Sequence, residues 1–237
     1  MARLTPTRSG DSDGRAARWA GQRERRRAEF VDAALAALAA HGPHVSTEQI
    51  AEHAGVARTR IYRHFDGKAD LEAAIAQRAA EQIIIELAPV WNPEGSPREM
   101  IDLAVRTHVR WMAEHPSIYQ YVVNVSGTKG ATAFQDVKAA VSGHIAALFR
   151  GYLEAFGGDT SAAEPAAYGL VGFVDAATSR WLENPTEQSR EELTEKLVDW
   201  VWLLISQTVR AADVILDRDK PLPPPGEISA RRAAAAP

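Results

Sequence analysis

The chain has 237 residues, 46% of them hydrophobic, and a net charge of −4, a composition that excludes general disorder and allows one large or two modest domains. It contains no cysteine, which excludes disulfides and thiolate metal sites and is typical of a cytoplasmic protein. No apolar run approaches the roughly 20 residues that cross a bilayer, and no apolar stretch follows the N-terminal arginines, so we expect neither a membrane span nor a secretory signal.

Positive charge is concentrated near the N-terminus. Through Lys68, lysine and arginine number 12 against 8 acidic residues, whereas the rest of the chain has 15 against 23. A basic part on an acidic body is attracted to DNA by long-range electrostatics, with an affinity that falls as salt rises. A chance fluctuation in small counts is the alternative, so charge alone does not identify the partner.

The N-terminal part is predicted to be an arm followed by a helix. Residues 1–22 are rich in Gly, Ser, Thr, Asp and Arg and offer little to bury, so we predict a flexible basic arm. Such an arm either contacts the phosphate backbone or a minor groove, or it is a solvated tail. Apolar residues at helical spacing predict the first helix over residues 25–40, which ends at the His-Gly-Pro sequence of residues 41–43.

Residues 46–71 have the pattern of a helix, a glycine turn and a second helix. Ser46 begins the first helix with a capping box, and Gly55 closes it, because glycine tolerates the left-handed conformation common at helix ends. In the second helix, Ile61 and Phe65 lie four residues apart on one apolar stripe, while arginines occupy the opposite face. A solvated amphipathic helix pair is the alternative, but the ordered set of features favours a helix presented to DNA.

The sequence AEHAGVARTRIYRHFDGKADL at residues 51–71 resembles the DNA-binding segment of the tetracycline-repressor (TetR) family of transcription regulators. The residues that carry the resemblance are Ala51, Ala54, Gly55, Val56, Tyr62, His64, Phe65, Lys68 and Leu71. The resemblance extends over residues 25–72. It implies an all-α fold, in which an N-terminal three-helix helix-turn-helix DNA-binding domain precedes a C-terminal helical ligand-binding and dimerisation domain. Ala57 and the pair Thr59-Arg60 depart from the family pattern, so the operator sequence cannot be taken from a relative.

The resemblance also implies which residues contact DNA. Base-facing positions correspond to Arg58, Thr59, Arg60, Tyr62 and Arg63, and phosphate-binding positions to Ser46, Thr47, Tyr62, His64 and Lys68. An arginine can bind O6 and N7 of guanine with two hydrogen bonds, and Arg60 is our first choice for this role. Thr47 and Lys68 lie at helix N-termini, where backbone amides also favour phosphate.

Helical period and helix-breaking residues predict the rest of the fold. A long helix is predicted over residues 68–87, and the resemblance implies that it joins the DNA-binding part to the body of the protein. Further helices are predicted over residues 97–114, 117–124, 132–156, 163–183 and 190–216. We therefore divide the chain into the arm (1–22), a helix-turn-helix domain (23–70), an effector-binding and dimerisation domain (71–216) and a disordered proline-rich tail (217–237).

The last two long helices differ in the size of their side chains. The small residues are Gly169, Gly172, Ala176 and Ala177, and the bulky ones are Leu197, Trp200, Val201, Leu204 and Ile205. The family implies that these helices from two subunits form a four-helix interface, and a monomeric core is the alternative. A homodimer would place two recognition helices about 34 Å apart, on successive major grooves of a palindromic operator.

A small-molecule cavity among the middle helices is a further implication of the family. Candidate lining residues are His108, Trp111, Met112, Tyr119, Tyr121, His144, Phe149, Tyr152, Phe173 and Trp181. Each of them is alternatively an ordinary core residue. Aromatic residues with few charges would suit an apolar or amphipathic effector.

These features predict a ligand-responsive transcriptional regulator. We expect a homodimeric repressor that binds double-stranded DNA and is released by its effector; a DNA-binding activator and a helical protein-interaction scaffold are the alternatives. The sequence contains no HExxH pair, phosphate-binding glycine loop, GxSxG elbow or cysteine nucleophile. We therefore expect neither an enzyme nor a cofactor or metal site.

Overall fold

The computed structural model of the protein describes residues 10–92, 94–124, 129–185 and 187–235. Every regular element in these residues is helical, which confirms the predicted all-α fold. The α-helices are α1 (Gly10–His41), α2 (Thr47–His53), α3 (Arg58–Ile61), α4 (Lys68–Glu86), α5 (Pro97–Glu114), α6 (Pro116–Asn124), α7 (Lys129–Phe156), α8 (Ala163–Glu183), α9 (Arg190–Ala211) and α10 (Pro225–Ala235). A short 3-10 helix, Ala88–Val90, follows α4.

Helices α1, α2 and α3 form the head of the protein, and α4 to α10 form its body. The head is held by apolar side chains from all three helices, and Ile61 and Phe65 are only 0% and 2% exposed. The same buried cluster continues into the body through Ile75 of α4, Met112 of α5 and Val122 of α6. The head and the body therefore share one continuous core.

Helix α1 begins much earlier than predicted. The prediction of a flexible arm over residues 1–22 is wrong for residues 10–22, which belong to α1; residues 1–9 lie outside the described part of the chain. Residues 21–26 of α1 are exposed, so burial does not hold that part of the helix in place. The alanine, arginine and glutamine residues among positions 10–22 favour a helix intrinsically, and a helix that is already nucleated by packing extends at little cost.

The C-terminal segment, residues 212–235, is ordered rather than a disordered tail. Helix α9 ends at Ala211 instead of residue 216, and the chain then turns back along the body. The amide of Leu222 donates to the Gly95 carbonyl at 2.8 Å, and the amide of Arg98 donates to the Arg218 carbonyl at 3.0 Å. Composition failed here because a few well-spaced apolar residues suffice for docking onto an existing surface, even where the segment has no core of its own.

The remaining helices surround the interior of the body. Helices α5 and α8 match their predicted bounds, and α5 begins with a capping box in which Ser96 and Glu99 bond each other's backbone amides. Helix α5 packs against α9, and α7 packs against α4 and α8. None of the helices within the described ranges has the length and apolarity needed to span a membrane.

Replacing Leu222 with alanine is expected to lower the stability of the protein. Leu222 packs against the body, so its truncation should reduce the free energy of unfolding by about 1–2 kcal/mol, a fall in Tm of roughly 3–6 °C. Ile215→Ala is the matched control, because Ile215 is 85% exposed in the same segment. Thermal unfolding measures both variants, and equal Tm values would show that the segment is not docked in solution.

Candidate DNA-binding surface and effector cavity

A tight turn joins α2 to α3. Gly55 has a φ of 62°, in the left-handed region where other residues are strained, and the Val56 amide closes the turn by donating to the Ala51 carbonyl at 3.0 Å. Ala57 precedes α3 and provides no side-chain cap. Helix α3 is short, and the chain continues as tight turns, in which the amide of His64 donates to the Ile61 carbonyl at 2.8 Å.

The outer face of this unit is basic. Ile61 and Phe65 face the core, whereas the residues predicted to contact DNA lie on the outside with one exception. Ser46, Arg58, Thr59, Arg60, Arg63 and Lys68 are exposed, and Tyr62 and His64 are partly exposed. Thr47 is buried. The predicted guanidinium groups of Arg58, Arg60 and Arg63 are thus accessible to a ligand.

The exposed cations differ in their neighbours. Arg58 forms an ion pair with Glu48 at 2.7 Å and lies over the ring of Tyr62, and Lys68 pairs with Glu72 at 3.2 Å. Among the described residues no ion pair involves Arg60 or Arg63. These two guanidinium groups can meet DNA without first breaking a salt bridge.

Tyr62 and Thr47 tie α3 to α2. Their hydroxyl oxygens are 3.2 Å apart. The hydrogen bond with Thr47 lowers the pKa of Tyr62, against the effect of burial, and a hydrogen bond with Arg58 lowers it further. The hydroxyl of Thr47 is thus engaged within the protein, where its contact with Tyr62 holds α2 against α3.

Arg27 holds the surface in place, a role that sequence reasoning missed. Its guanidinium donates to both carboxylate oxygens of Asp70 at 2.9 and 3.0 Å and also to the His64 carbonyl. It lies 4.3 Å from the centre of the Phe65 ring. These contacts join α1, the turn after α3 and the first turn of α4. No local spacing signals a pair of residues so far apart in the chain.

His64 is uncharged in this surface at neutral pH. Burial lowers the pKa of His64, and the nearby charges of Arg23 and Arg60 lower it further. Its ring packs edge-on against Phe30 in the core. A neutral imidazole contributes hydrogen bonds rather than charge to a phosphate contact.

The body contains an apolar cavity of about 220 Å³. Side chains of α5, α7, α8 and α9 line it, together with Leu87 at the end of α4 and Leu216 and Leu222 of the C-terminal segment. His108 and Tyr152 are the two lining residues that carry polar side-chain groups. Burial raises the pKa of Tyr152, so its phenol is neutral at physiological pH. The cavity suits a ligand that is mostly hydrocarbon.

The structure places three of the predicted lining residues, His108, Phe149 and Tyr152, at this cavity. The others lie elsewhere: Trp111, Met112, Tyr119 and Tyr121 belong to the core shared by head and body, Phe173 and Trp181 pack against the α5–α9 cluster, and His144 bonds the Trp91 carbonyl at 2.8 Å. The prediction favoured aromatic residues, whereas the cavity wall is mainly leucine, valine and isoleucine. Such residues cannot be told from ordinary core residues in a sequence.

A polar cluster lies beside the cavity and consists of His108, Tyr119, Lys138 and Asp175. Oδ2 of Asp175 accepts hydrogen bonds from the Lys138 ammonium and, at 3.3 Å, from the Tyr119 hydroxyl. Burial raises the pKa of Tyr119 to about 12, and burial lowers the pKa of His108. Sequence reasoning missed Lys138 and Asp175, because isolated charges on helices are common.

A helix-turn-helix head with an exposed basic face, on a helical body that contains an apolar cavity, is the architecture of a DNA-binding transcription regulator. Residues 30–75 match the family model for bacterial regulatory proteins of the tetR family. An HTH-type transcriptional regulator of Mycobacterium tuberculosis, Rv0472c, is 30% identical over 227 residues, which cover 95% of this chain and 97% of the relative. The protein belongs to the TetR family of transcription regulators.

Two solved structures share its fold. A tetR-family transcriptional regulator from Streptomyces coelicolor has a TM-score of 0.65 and 22% identity, with 90% of each chain covered. FadR from Bacillus subtilis, solved in complex with stearoyl-CoA, has a TM-score of 0.58 and 19% identity, with 75% of this chain and 97% of FadR covered. The relatives are regulators, in agreement with the prediction that the chain is not an enzyme.

Proposed function

We propose that the protein is a homodimeric repressor that binds a palindromic operator and is released when a ligand with a long hydrocarbon part occupies the cavity. The observation that carries this proposal is the apolar cavity, whose walls are helices that continue into the core beneath the DNA-binding head. Repression is the usual mode of action in the family that the sequence resembles.

The size and chemistry of the cavity support a chain-like effector. On α5, lining residues extend from Pro97 to His108, a helical length of about 16 Å at 1.5 Å per residue. FadR of the same fold was solved with stearoyl-CoA, whose acyl part is a long hydrocarbon chain. An apolar wall of this length stabilises such a chain by removing its surface from water.

Three elements connect the cavity to the head. Leu87 and Val90, at and just after the end of α4, belong both to the cavity wall and to the core shared with the head. On α5, His108 lines the cavity, and Trp111 and Met112 enter that core one turn later. A ligand that separates α5 from α7 would shift α4 and so change the spacing of two heads. The ligand's differential affinity for the two states sets the size of the switch.

An exposed apolar face supports dimerisation. This dimer face consists of Tyr168, Trp200, Leu203 and Leu204, which are 45%, 47%, 55% and 49% exposed. Gly169 lies beside it on α8, and a side chain added there would meet open space, so the glycine serves no packing within the subunit. Such a face is typical of a surface that a second copy covers. Leu197 and Val201, which were predicted at the interface, are instead buried within the subunit.

Selection of bound DNA from a random pool, followed by a gel shift on the recovered site, tests this proposal. We expect a palindromic site with half-sites one helical turn apart, and release of the protein from it by stearoyl-CoA or a free long-chain alcohol. Recovery of no preferred sequence would contradict operator binding. Transcription in vitro from a promoter that carries the site separates a repressor, which lowers transcript yield, from an activator, which raises it.

Deletion of residues 1–22 is expected to weaken operator binding and to flatten its dependence on salt. The deleted part includes Arg15 and Arg18, and each phosphate contact that is lost should reduce the slope of log affinity against log salt by roughly 0.9. Fluorescence anisotropy over a salt series measures the slope. An unchanged affinity and slope would exclude the start of α1 from DNA binding.

A further inference from the structure

Two buried atoms of the polar cluster, Oδ1 of Asp175 and Nε2 of His108, have no hydrogen-bond partner among the described residues. They lie 3.9 Å apart, which is too long for a direct hydrogen bond but leaves one oxygen atom within reach of both. Buried polar atoms in proteins are nearly always hydrogen-bonded. This pair, which we call the polar pair, therefore marks a place for a further polar group.

The polar pair lies at one end of the effector cavity. His108 is the last of the lining residues along α5, and Asp175 directly follows Val174, which lines the cavity from α8. Asp175 itself is only 6% exposed. Leu222 of the C-terminal segment lies at the opposite end, because its amide bonds the carbonyl of Gly95, just before α5 begins. A chain-like ligand in the cavity would place one of its ends at the polar pair.

The chemistry of the polar pair restricts what can lie there. A carboxylate oxygen only accepts hydrogen bonds, so the occupant must donate to Asp175. Burial lowers the pKa of His108, so its imidazole is neutral at neutral pH, and an N–H at Nε2 would need an acceptor. A hydroxyl group meets both requirements with a single oxygen. An ether cannot donate, and an ionised carboxylate would bring a second negative charge beside Asp175.

We propose that the polar pair binds the hydroxyl group of an otherwise apolar ligand, such as a long-chain alcohol, whose hydrocarbon part lies along the cavity. This inference depends on the proposed function only in treating the cavity as a ligand site. The hydroxyl donates to Oδ1 of Asp175 and accepts from Nε2 of His108. A buried donor and acceptor that are left unpaired by the wrong ligand give the site its selectivity.

Three probes of equal chain length test the inference: dodecanol, dodecyl methyl ether and dodecanoate. Binding of each to the full chain is measured at neutral pH by the change in tryptophan fluorescence. We expect dodecanol to bind about tenfold more tightly than either of the others, the effect of roughly one well-formed hydrogen bond. Equal affinities for dodecanol and the ether would overturn the inference and indicate that water occupies the polar pair.

Variants of the cavity residues show which side chain causes the preference for dodecanol over the ether. His108→Leu should remove the preference for dodecanol over the ether, and His108→Gln, which keeps an N–H group, should retain part of it. Tyr152→Phe is the matched control, because it deletes the other polar group of the cavity wall and should leave the preference unchanged. Each preference is a ratio within one variant, so a general loss of affinity cancels. A preference that persists in His108→Leu, or disappears in Tyr152→Phe, contradicts the assignment.

Failure of this inference and failure of the proposed function give different results. If none of the three probes binds, both the effector cavity and the polar pair are rejected. If the probes bind without a preference for dodecanol, only the polar pair is rejected. If dodecanol binds with the expected preference but does not release the operator, the polar pair stands and the proposed switch fails. Should the histidine variants not fold, the three affinities of the unaltered protein decide the question.

Discussion

Leu204→Asp is expected to convert the protein to a monomer and to weaken operator binding by at least about a thousandfold, the usual gap between specific and non-specific binding. Leu204 belongs to the dimer face and is 49% exposed in the subunit, so the substitution leaves the subunit's own core intact. In a two-fold interface every substitution occurs twice, and two carboxylates would lose water without gaining partners. Light scattering measures the mass, and fluorescence anisotropy measures the affinity for the operator.

Ile215→Asp is the matched control for this experiment. Ile215 is 85% exposed, carries a similar aliphatic side chain and lies outside the dimer face, so the same change of charge should affect neither mass nor affinity. If Leu204→Asp remains a dimer with unchanged affinity, the dimer face is not the interface. A monomer that still binds the operator as tightly as the unaltered protein would instead contradict the two-headed mode of recognition.

Arg60→Ala is expected to relax base preference at one position of each half-site. Arg60 is exposed on the recognition unit and forms no ion pair within the described residues, so its guanidinium is available to a guanine. A good bidentate contact contributes roughly 1–3 kcal/mol of discrimination, and in a dimer it is made twice. Affinities for the operator, for single-base variants of it and for random DNA measure this loss.

Lys68→Ala is the comparison variant for Arg60→Ala, because it is expected to remove a phosphate contact rather than a base contact. Lys68 is exposed at the start of α4, where a lysine and the first backbone amides of the helix suit a phosphate. Its removal should weaken binding to the operator and to random DNA by the same factor, and should lower the salt slope by about 0.9 per subunit, or about 1.8 for a dimer that makes the contact twice. Equal loss on both kinds of DNA for Arg60→Ala would show that Arg60 contacts the backbone rather than a base.

The recognition unit could be predicted because its signals are local. The capping box of Ser46, the left-handed Gly55 and the inward pair of Ile61 and Phe65 each depend on residues within a few positions of one another. The structure bears these out, but it also shows what local signals omit. Arg27, which no local pattern singles out, is bound to Asp70 across the head.

The apolar cavity was predicted less well than the recognition unit. The existence of a cavity followed from the family resemblance, but most of the aromatic residues chosen for its wall pack in other cores. A cavity is the space that several helices leave between them. The sequence of any one helix does not show which of its residues line that space. The polar pair of His108 and Asp175 was even harder to predict, because its two residues come from different helices, α5 and α8.

The two ends of the chain show the limits of composition. Residues 217–235 are charged and rich in proline, yet Leu222 reaches the cavity and Arg218 pairs with Asp199 of α9. At the other end, polar residues 10–22 continue α1 instead of forming an arm. Composition measures whether a segment can build a core, and it does not show whether the segment can dock on a neighbour or extend a helix that already exists.

By itself, the amino-acid sequence determined the all-α class, the place of the helix-turn-helix unit and the family, because helix period, caps and turn residues act over a few positions. Only the tertiary structure decided which side chains line the cavity, which apolar residues remain exposed and where the C-terminal segment lies. These properties depend on contacts between residues that are distant in the chain, and a one-dimensional pattern does not contain the packing that brings them together.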